Sequence, residues 1–232
     1  MKAVMIDAYW SDTPNGMKLK VFLEETGIPH LIFRVSLSRG EQYKADFQAI
    51  SPNNKIPAIV DHAPADGGAP ISMFESGAIL LYLARKHDVL TPRGERSRLE
   101  LLQWLFWQVG GLEPMGGQIG HFNAHASERV PYAIERYTRE INRCCTVLER
   151  RLSDRTYIVG DYSIADIACY PWIVPHKGFG VDLRAFPNLK RWFDTISTRP
   201  AAQRAYEGVE DAYAAPLSAE ATKILFQHDA QV

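Results

Sequence analysis

Residues 53–84 read NNKIPAIVDHAPADGGAPISMFESGAILLYLA, and the reading of this stretch decides the fold. Ala58-Ile59-Val60 is a strand-like run directly after Ile56-Pro57, and Ile71 to Phe74 is a second. Glu75-Ser76-Gly77 then opens an apolar helix, AILLYLARK. A helix start leaves backbone N–H groups without intrahelical partners, which suits a carboxylate placed beyond the strand end. Ser76 adds a hydroxyl and Glu75 an acceptor for an ammonium group. The alternative for Ser76 is a plain N-cap. A cis Ile56-Pro57 bond would turn the N–H and C=O of Ile56 towards a cleft, where an extended ligand pairs with them as an added strand. The residues alone leave cis and trans open.

Working outward, Ala3 to Ala8 reads as a first strand. The turn SDTPNG leads into a helix with Leu19, Phe22 and Leu23 at helical spacing, ended by Gly27 and Pro29. His30 to Leu37 alternates, placing Leu31, Phe33, Val35 and Leu37 on one face, the pattern of a strand covered on one side. A short polar helix over 41–49 follows. The order βαβαββα is a thioredoxin-like layout. From Thr91 onward strand signals stop, and amphipathic segments over 95–109, 131–152, 163–174 and 187–197 predict an all-helical second part. The expected organisation is a thioredoxin-like domain over 1–88, a helical domain over 93–210 and a tail over 211–232 with no readable role. Ser163-Ile164-Ala165-Asp166 fits a capping box. Gly110-Gly111 and Gly116-Gly117 beside Trp104, Phe106 and Trp107 predict a bend or loop facing the cleft.

Composition bounds the function. A chain of 232 residues, 46% hydrophobic and 23% charged, suits one or two globular domains with a proper core. A formal charge of −1 lacks the basic surplus of a nucleic-acid binder. No apolar run approaches the roughly 18 residues of a membrane span, and Asp7 interrupts any signal-peptide core, so the expected compartment is the cytoplasm. Three cysteines, two of them adjacent, give neither a disulfide framework nor a C-x-x-C motif, and all fall in helix-like segments as small core residues. His121 and His125 share a helical i, i+4 spacing, but no third ligand or HExxH pattern accompanies them, so no metal is expected.

IPAIVD and FESGAILLYLA resemble the glutathione-site motifs of the glutathione S-transferase superfamily. TPNG, ISPNNKIPAIVDH, LQWLFWQVGG and YAIERY resemble more narrowly its bacterial Nu-class members, which are glutathione-dependent disulfide-bond oxidoreductases. The likeness runs from about Met5 to Arg199. It implies glutathione as co-substrate, no metal, small disulfide or electrophile substrates and a homodimer. It also implies Thr13 and Asn15 at the sulfur, in place of the generic choices Tyr9 and Ser11. Ile56 would then pair with the cysteinyl backbone, Glu75 and Ser76 would hold the γ-glutamyl end, and Gln42 the glycyl side. Arg136 matches a position that contacts a second glutathione or reaches from the neighbouring subunit, and Phe122 lines the same opening. On the residues alone, Thr13 and Asn15 also read as an ordinary turn and cap, and Arg136 as a solvated partner of Glu140 at i+4.

The chemistry sets a requirement. A thiol with pKa near 8.5 is only about 3% ionised at pH 7, and lowering it by two units raises that to about three quarters. The shift takes about 2.7 kcal/mol, within reach of one or two hydrogen bonds to the thiolate at about 1.5–3 kcal/mol each. Three functions meet these features: disulfide reduction by two glutathione thiols, with peroxide reduction as a side activity; conjugation of glutathione to electrophiles; and a non-catalytic binding protein on the same fold.

Overall fold

The computed structural model describes residues 5–209 and 217–226. The first strand, β1 (Ile6–Trp10), is followed by α1 (Pro14–Thr26), β2 (His30–Arg34), α2 (Ala45–Gln48), β3 (Ala58–Asp61), β4 (Ile71–Phe74) and α3 (Ser76–His87). The sheet order is β2-β1-β3-β4, with β1 parallel to β2 and antiparallel to β3, and β3 antiparallel to β4. This is the βαβαββα layout the sequence predicts. The first strand lies later than its expected span of 3–8, whose residues 3 and 4 fall outside the described residues.

The period of two along β1 sends Ile6, Ala8 and Trp10 to one face, where they meet Phe22 and Leu23 of α1 and Leu80 and Leu83 of α3 in a single buried cluster. Burial of each Ile, Leu or Phe side chain there contributes about 1.5–3 kcal/mol. The opposite face is thinner, with Val35, Phe47, Ile56 and Ala58 forming a small second cluster against Tyr9. The expected covered face of the second strand is therefore only partly right. β2 is an edge strand that ends at Arg34, Leu31 and Phe33 remain 50% and 40% exposed, and of the expected face Val35 is buried in the second cluster and Leu37 packs partly buried against it. The polar helix over 41–49 divides into a 3-10 turn, Glu41–Tyr43, and the short α2.

The rest is helical: α4 (Glu95–Trp107), α5 (Glu113–Gly120), α6 (Pro131–Arg151), α7 (Ile164–Ile173), α8 (Pro187–Ser197), α9 (Pro200–Tyr206) and α10 (Ala219–Phe226). The glycine pairs make no loop. The chain passes from α4 through a π-helical turn, Gln108–Leu112, into α5, and then through a second, His121–His125. Gly116 is needed for packing, since a Cβ there would come within 2.7 Å of the Trp172 ring. The capping box at α7 is present: Ser163 Oγ accepts from the Ala165 N–H at 3.2 Å, and Asp166 Oδ2 from the Ser163 N–H at 3.0 Å.

The two parts share one core, because α1 packs on α7 and α9 and contributes to the same buried cluster as α7. Arg199 adds a bidentate pair to Glu25 at 2.6 and 3.0 Å, and Arg204 an ion pair to Glu24 at 2.8 Å. This seam brings α5 and α7 against the start of α1.

Candidate functional site

The site forms where α1 and α3 begin. Thr13 caps α1: its backbone is extended and its Oγ1 accepts from the Gly16 N–H at 3.3 Å. Gly16 is fixed by sterics, since a Cβ would lie 2.0 Å from the Ser11 carbonyl. The capping alternative for Thr13 is thus realised, but its hydroxyl keeps a proton to donate. Thr13 also lines a cleft of about 420 Å³ together with Ser11, Pro14, His121 and His125. Leu225 and Phe226 of α10 border the same cleft, with the Phe226 ring 4.7 Å from that of His121. The described part of the tail therefore has a place, beside the start of α1.

Tyr9 stands elsewhere. Its ring stacks on Phe33 at 5.0 Å and meets Phe47 edge-on, on the sheet face opposite Ala8 and Trp10. Burial, with Asp7 nearby, raises its pKa, the opposite of what an ionisable catalytic tyrosine requires.

Glu75 is exposed and sits at φ 71°, a left-handed value rare for a side chain with Cβ. It gives α3 no side-chain cap, so its carboxylate is turned outward. Ser76, at the first position of α3, is buried. Ile56-Pro57 is cis, and the Ile56 N–H and C=O pair with no group among the described residues. Ser51 Oγ donates to the Lys55 carbonyl at 2.8 Å and holds the loop before it. Gln42 is buried, with its carboxamide oxygen unpartnered among the described residues. Arg136 is exposed on α6 and lies 3.7 Å from Glu140 at i+4. One residue along, Tyr137 stacks on Phe122 at 5.6 Å.

Asn15 is tied on both sides. Its Nδ2 donates to Glu113 Oε1 at 2.6 Å and its Oδ1 accepts from Trp172 Nε1 at 2.9 Å, which leaves one N–H over. Glu113 leads to a group the sequence reading missed. Lys18, 0% exposed, donates from Nζ to Glu113 Oε2 at 2.6 Å, Gln108 Oε1 at 2.8 Å and Ser76 Oγ at 3.1 Å. Three acceptors match three ammonium hydrogens. Burial pulls the Lys18 pKa down and Glu113 opposes it. Met17, Leu19, Val21, Phe22 and Leu23 are buried around Lys18 along α1, but its acceptors come from distant parts of the chain, so no local pattern singles it out.

The cysteines are sealed. Cys144, Cys145 and Cys169 are all buried, and burial raises each thiol pKa, that of Cys145 to about 12. None has thiolate character at neutral pH. Among the described residues no cluster of three or more His, Cys, Asp or Glu is placed to hold a metal ion.

Comparison with known proteins fits this arrangement. Residues 13–86 match the family described as Glutathione S-transferase, N-terminal domain, and residues 119–200 its C-terminal domain. The chain is 52% identical over 202 residues to Disulfide-bond oxidoreductase YfcG of Escherichia coli (strain K12), covering 87% of this chain and 94% of the relative. It is 36% identical over 213 residues to Disulfide-bond oxidoreductase YghU of the same strain, covering 86% and 73%. Among solved structures, it is similar to a glutathione transferase family member from Pseudomonas fluorescens pf-5 with two glutathione bound, at TM-score 0.82 and 40% identity, covering 88% of this chain and 92% of that one. A glutathione transferase from Pseudomonas putida with one glutathione disulfide bound per subunit gives TM-score 0.82 and 37% identity, covering 87% and 90%.

Proposed function

The chain belongs to the glutathione S-transferase family, and on that premise we propose that it is a glutathione-dependent disulfide-bond oxidoreductase whose reacting thiols are those of glutathione. The observation that carries this reading is the placement of the Thr13 hydroxyl at a cleft while every protein cysteine is sealed. Relatives named disulfide-bond oxidoreductases, and the similar structures holding two glutathiones or glutathione disulfide, support it.

In this reading Glu75 takes the γ-glutamyl ammonium, and Ser76 with the α3 N-terminus takes its carboxylate. Ile56 pairs with the cysteinyl backbone, and Gln42 serves the glycyl side. The Thr13 hydroxyl, the spare Asn15 N–H and the positive end of α1 stabilise the thiolate. That thiolate attacks one sulfur of the substrate disulfide and forms a mixed disulfide, releasing the other sulfur as a thiolate. A second glutathione thiolate, with Arg136 and Phe122 beside it, attacks the glutathione sulfur of the mixed disulfide. The products are glutathione disulfide and two substrate thiols, with the two glutathione protons ending on those thiols.

In the same reading residues 1–88 form the glutathione-binding domain and 93–210 the helical one. The protein acts in the cytoplasm as a homodimer. Leu99 and Phe106 on α4, and Val130 and Tyr132 at the start of α6, are exposed apolar side chains available to a second copy. Among the described residues no helix is long and apolar enough to cross a membrane.

The deciding experiment compares two activities of one preparation, glutathione-dependent reduction of a small disulfide and conjugation of glutathione to an aryl electrophile. The expected outcome is a large ratio favouring the disulfide. A ratio favouring conjugation selects the transferase reaction instead.

A further inference from the structure

One fully buried ammonium joins the two ends of the candidate site. Lys18 Nζ donates to Ser76 Oγ at 3.1 Å, at the γ-glutamyl end. Through Glu113, which accepts Lys18 on Oε2 and Asn15 on Oε1, both at 2.6 Å, it also reaches the sulfur end. Gln108, itself buried, takes the third ammonium hydrogen at 2.8 Å. Lysine is almost never fully buried unless it is paired, and a buried ion pair is often no more stabilising than apolar residues of the same shape. Stability alone is therefore a poor account of Lys18.

Its hydrogen-bond directions supply a better one. Because Lys18 donates to Ser76 Oγ, the serine O–H cannot point back at Lys18 and keeps its proton for another acceptor. Because Glu113 accepts one Asn15 N–H while Trp172 donates to Asn15 Oδ1, the amide plane is locked with its second N–H left over.

We propose that Lys18, with Glu113, is a positioning residue that aims the Ser76 hydroxyl at the γ-glutamyl carboxylate and the Asn15 amide at the glutathione sulfur. Lys18 touches neither group of the ligand and acts through both side chains. The proposal rests on the glutathione reading above.

The test uses Lys18→Met and Glu113→Gln, singly and together, with two readouts. One is calorimetric affinity for S-methylglutathione, which lacks a free thiol. The other is the pH midpoint of thiolate formation by bound glutathione, followed by ultraviolet absorbance. Wild type must bind S-methylglutathione and depress the thiol midpoint; if it does neither, the glutathione reading itself fails. Given that, Lys18→Met is expected to weaken S-methylglutathione about tenfold and to raise the thiolate midpoint. Glu113→Gln is expected to raise the midpoint while keeping S-methylglutathione affinity within about threefold. The double variant removes both charges together and covers the case in which Lys18→Met alone does not fold; it is expected to lose on both readouts. A folded Lys18→Met or double variant with wild-type affinity and midpoint, changed only in Tm, overturns the proposal. So does Glu113→Gln with an unmoved midpoint.

Discussion

Glu75 carries a cost that the proposed ligand contact would account for. A non-glycine residue at positive φ stores about 1–3 kcal/mol, and here the same geometry turns its carboxylate outward at the start of α3. Glycine adopts this conformation freely but loses more backbone entropy on folding. Glu75→Gly is therefore expected to leave stability unchanged or raised by up to about 1 kcal/mol, and to weaken glutathione by about 1.5–3 kcal/mol, the value of a hydrogen bond to a charged group. Urea unfolding and calorimetry on the same variant check both, and a large loss of stability would remove the strain argument. Tyr9→Phe is expected to keep turnover within a few-fold, because the Tyr9 ring packs on Phe33 and Phe47. Thr13→Ala is expected to move the pH profile of turnover upward. Abolished activity in Tyr9→Phe would place the protein with the tyrosine-type transferases. Glu75, Ser76 and Thr13 stand out in the sequence as candidates because the features that single them out are local: a motif, a helix start and a turn. Lys18 was not, because its partners come from α3, the π-helical turn and α5, far away in the chain, and a lysine beside Leu19 reads as a solvent-facing residue.

At the scale of elements, Asp61 ties β3 to α3. Its buried carboxylate accepts from Tyr82 Oη at 2.7 Å and Lys86 Nζ at 2.5 Å, and from the Ala63 N–H at 2.9 Å. Burial opposes ionisation, but Lys86, Tyr82 and the Ala63 N–H outweigh it and hold Asp61 below the usual carboxylate range. A depressed carboxylate contributes stability that is present above its unfolded value, near pH 4, and is lost as pH falls through the folded one. Asp61→Asn is expected to cost about 3 kcal/mol at pH 7, with the gap to wild type narrowing as pH falls below 4. Urea melts across pH 7 to 2.5 measure it, and a gap independent of pH would contradict the linkage. Element identity was legible where the signals were local, as at Gly27 after α1 and Ser163-Asp166 at α7. At the glycine pairs the expectation was half right: Gly117 lines the cleft as expected, but the chain stays helical there through π-helical turns and forms no loop. A helical glycine costs only about 1 kcal/mol, and the packing of Gly116 under Trp172 overrides a preference that sequence pattern alone counts as a break.

For the whole molecule, the division of labour between protein and ligand is the central claim. Helical packing places Cys144, Cys145 and Cys169 in the core, where burial raises each thiol pKa, while the proposed site at the starts of α1 and α3 holds no protein thiol. The thioredoxin-like order and the helical second part were legible from the change of hydrophobic period near Thr91. The position of α10 beside the cleft was not, since its contacts with the turn after β2 and with His121 are wholly tertiary. The most direct test replaces all three cysteines with Ser or Ala and measures glutathione-dependent disulfide reduction, with circular dichroism and glutathione binding as controls. Turnover is predicted to stay within about tenfold of wild type, a barrier change of less than about 1.4 kcal/mol; a loss of several orders of magnitude with fold and binding intact would mean that a protein cysteine takes part and would contradict the two-glutathione mechanism.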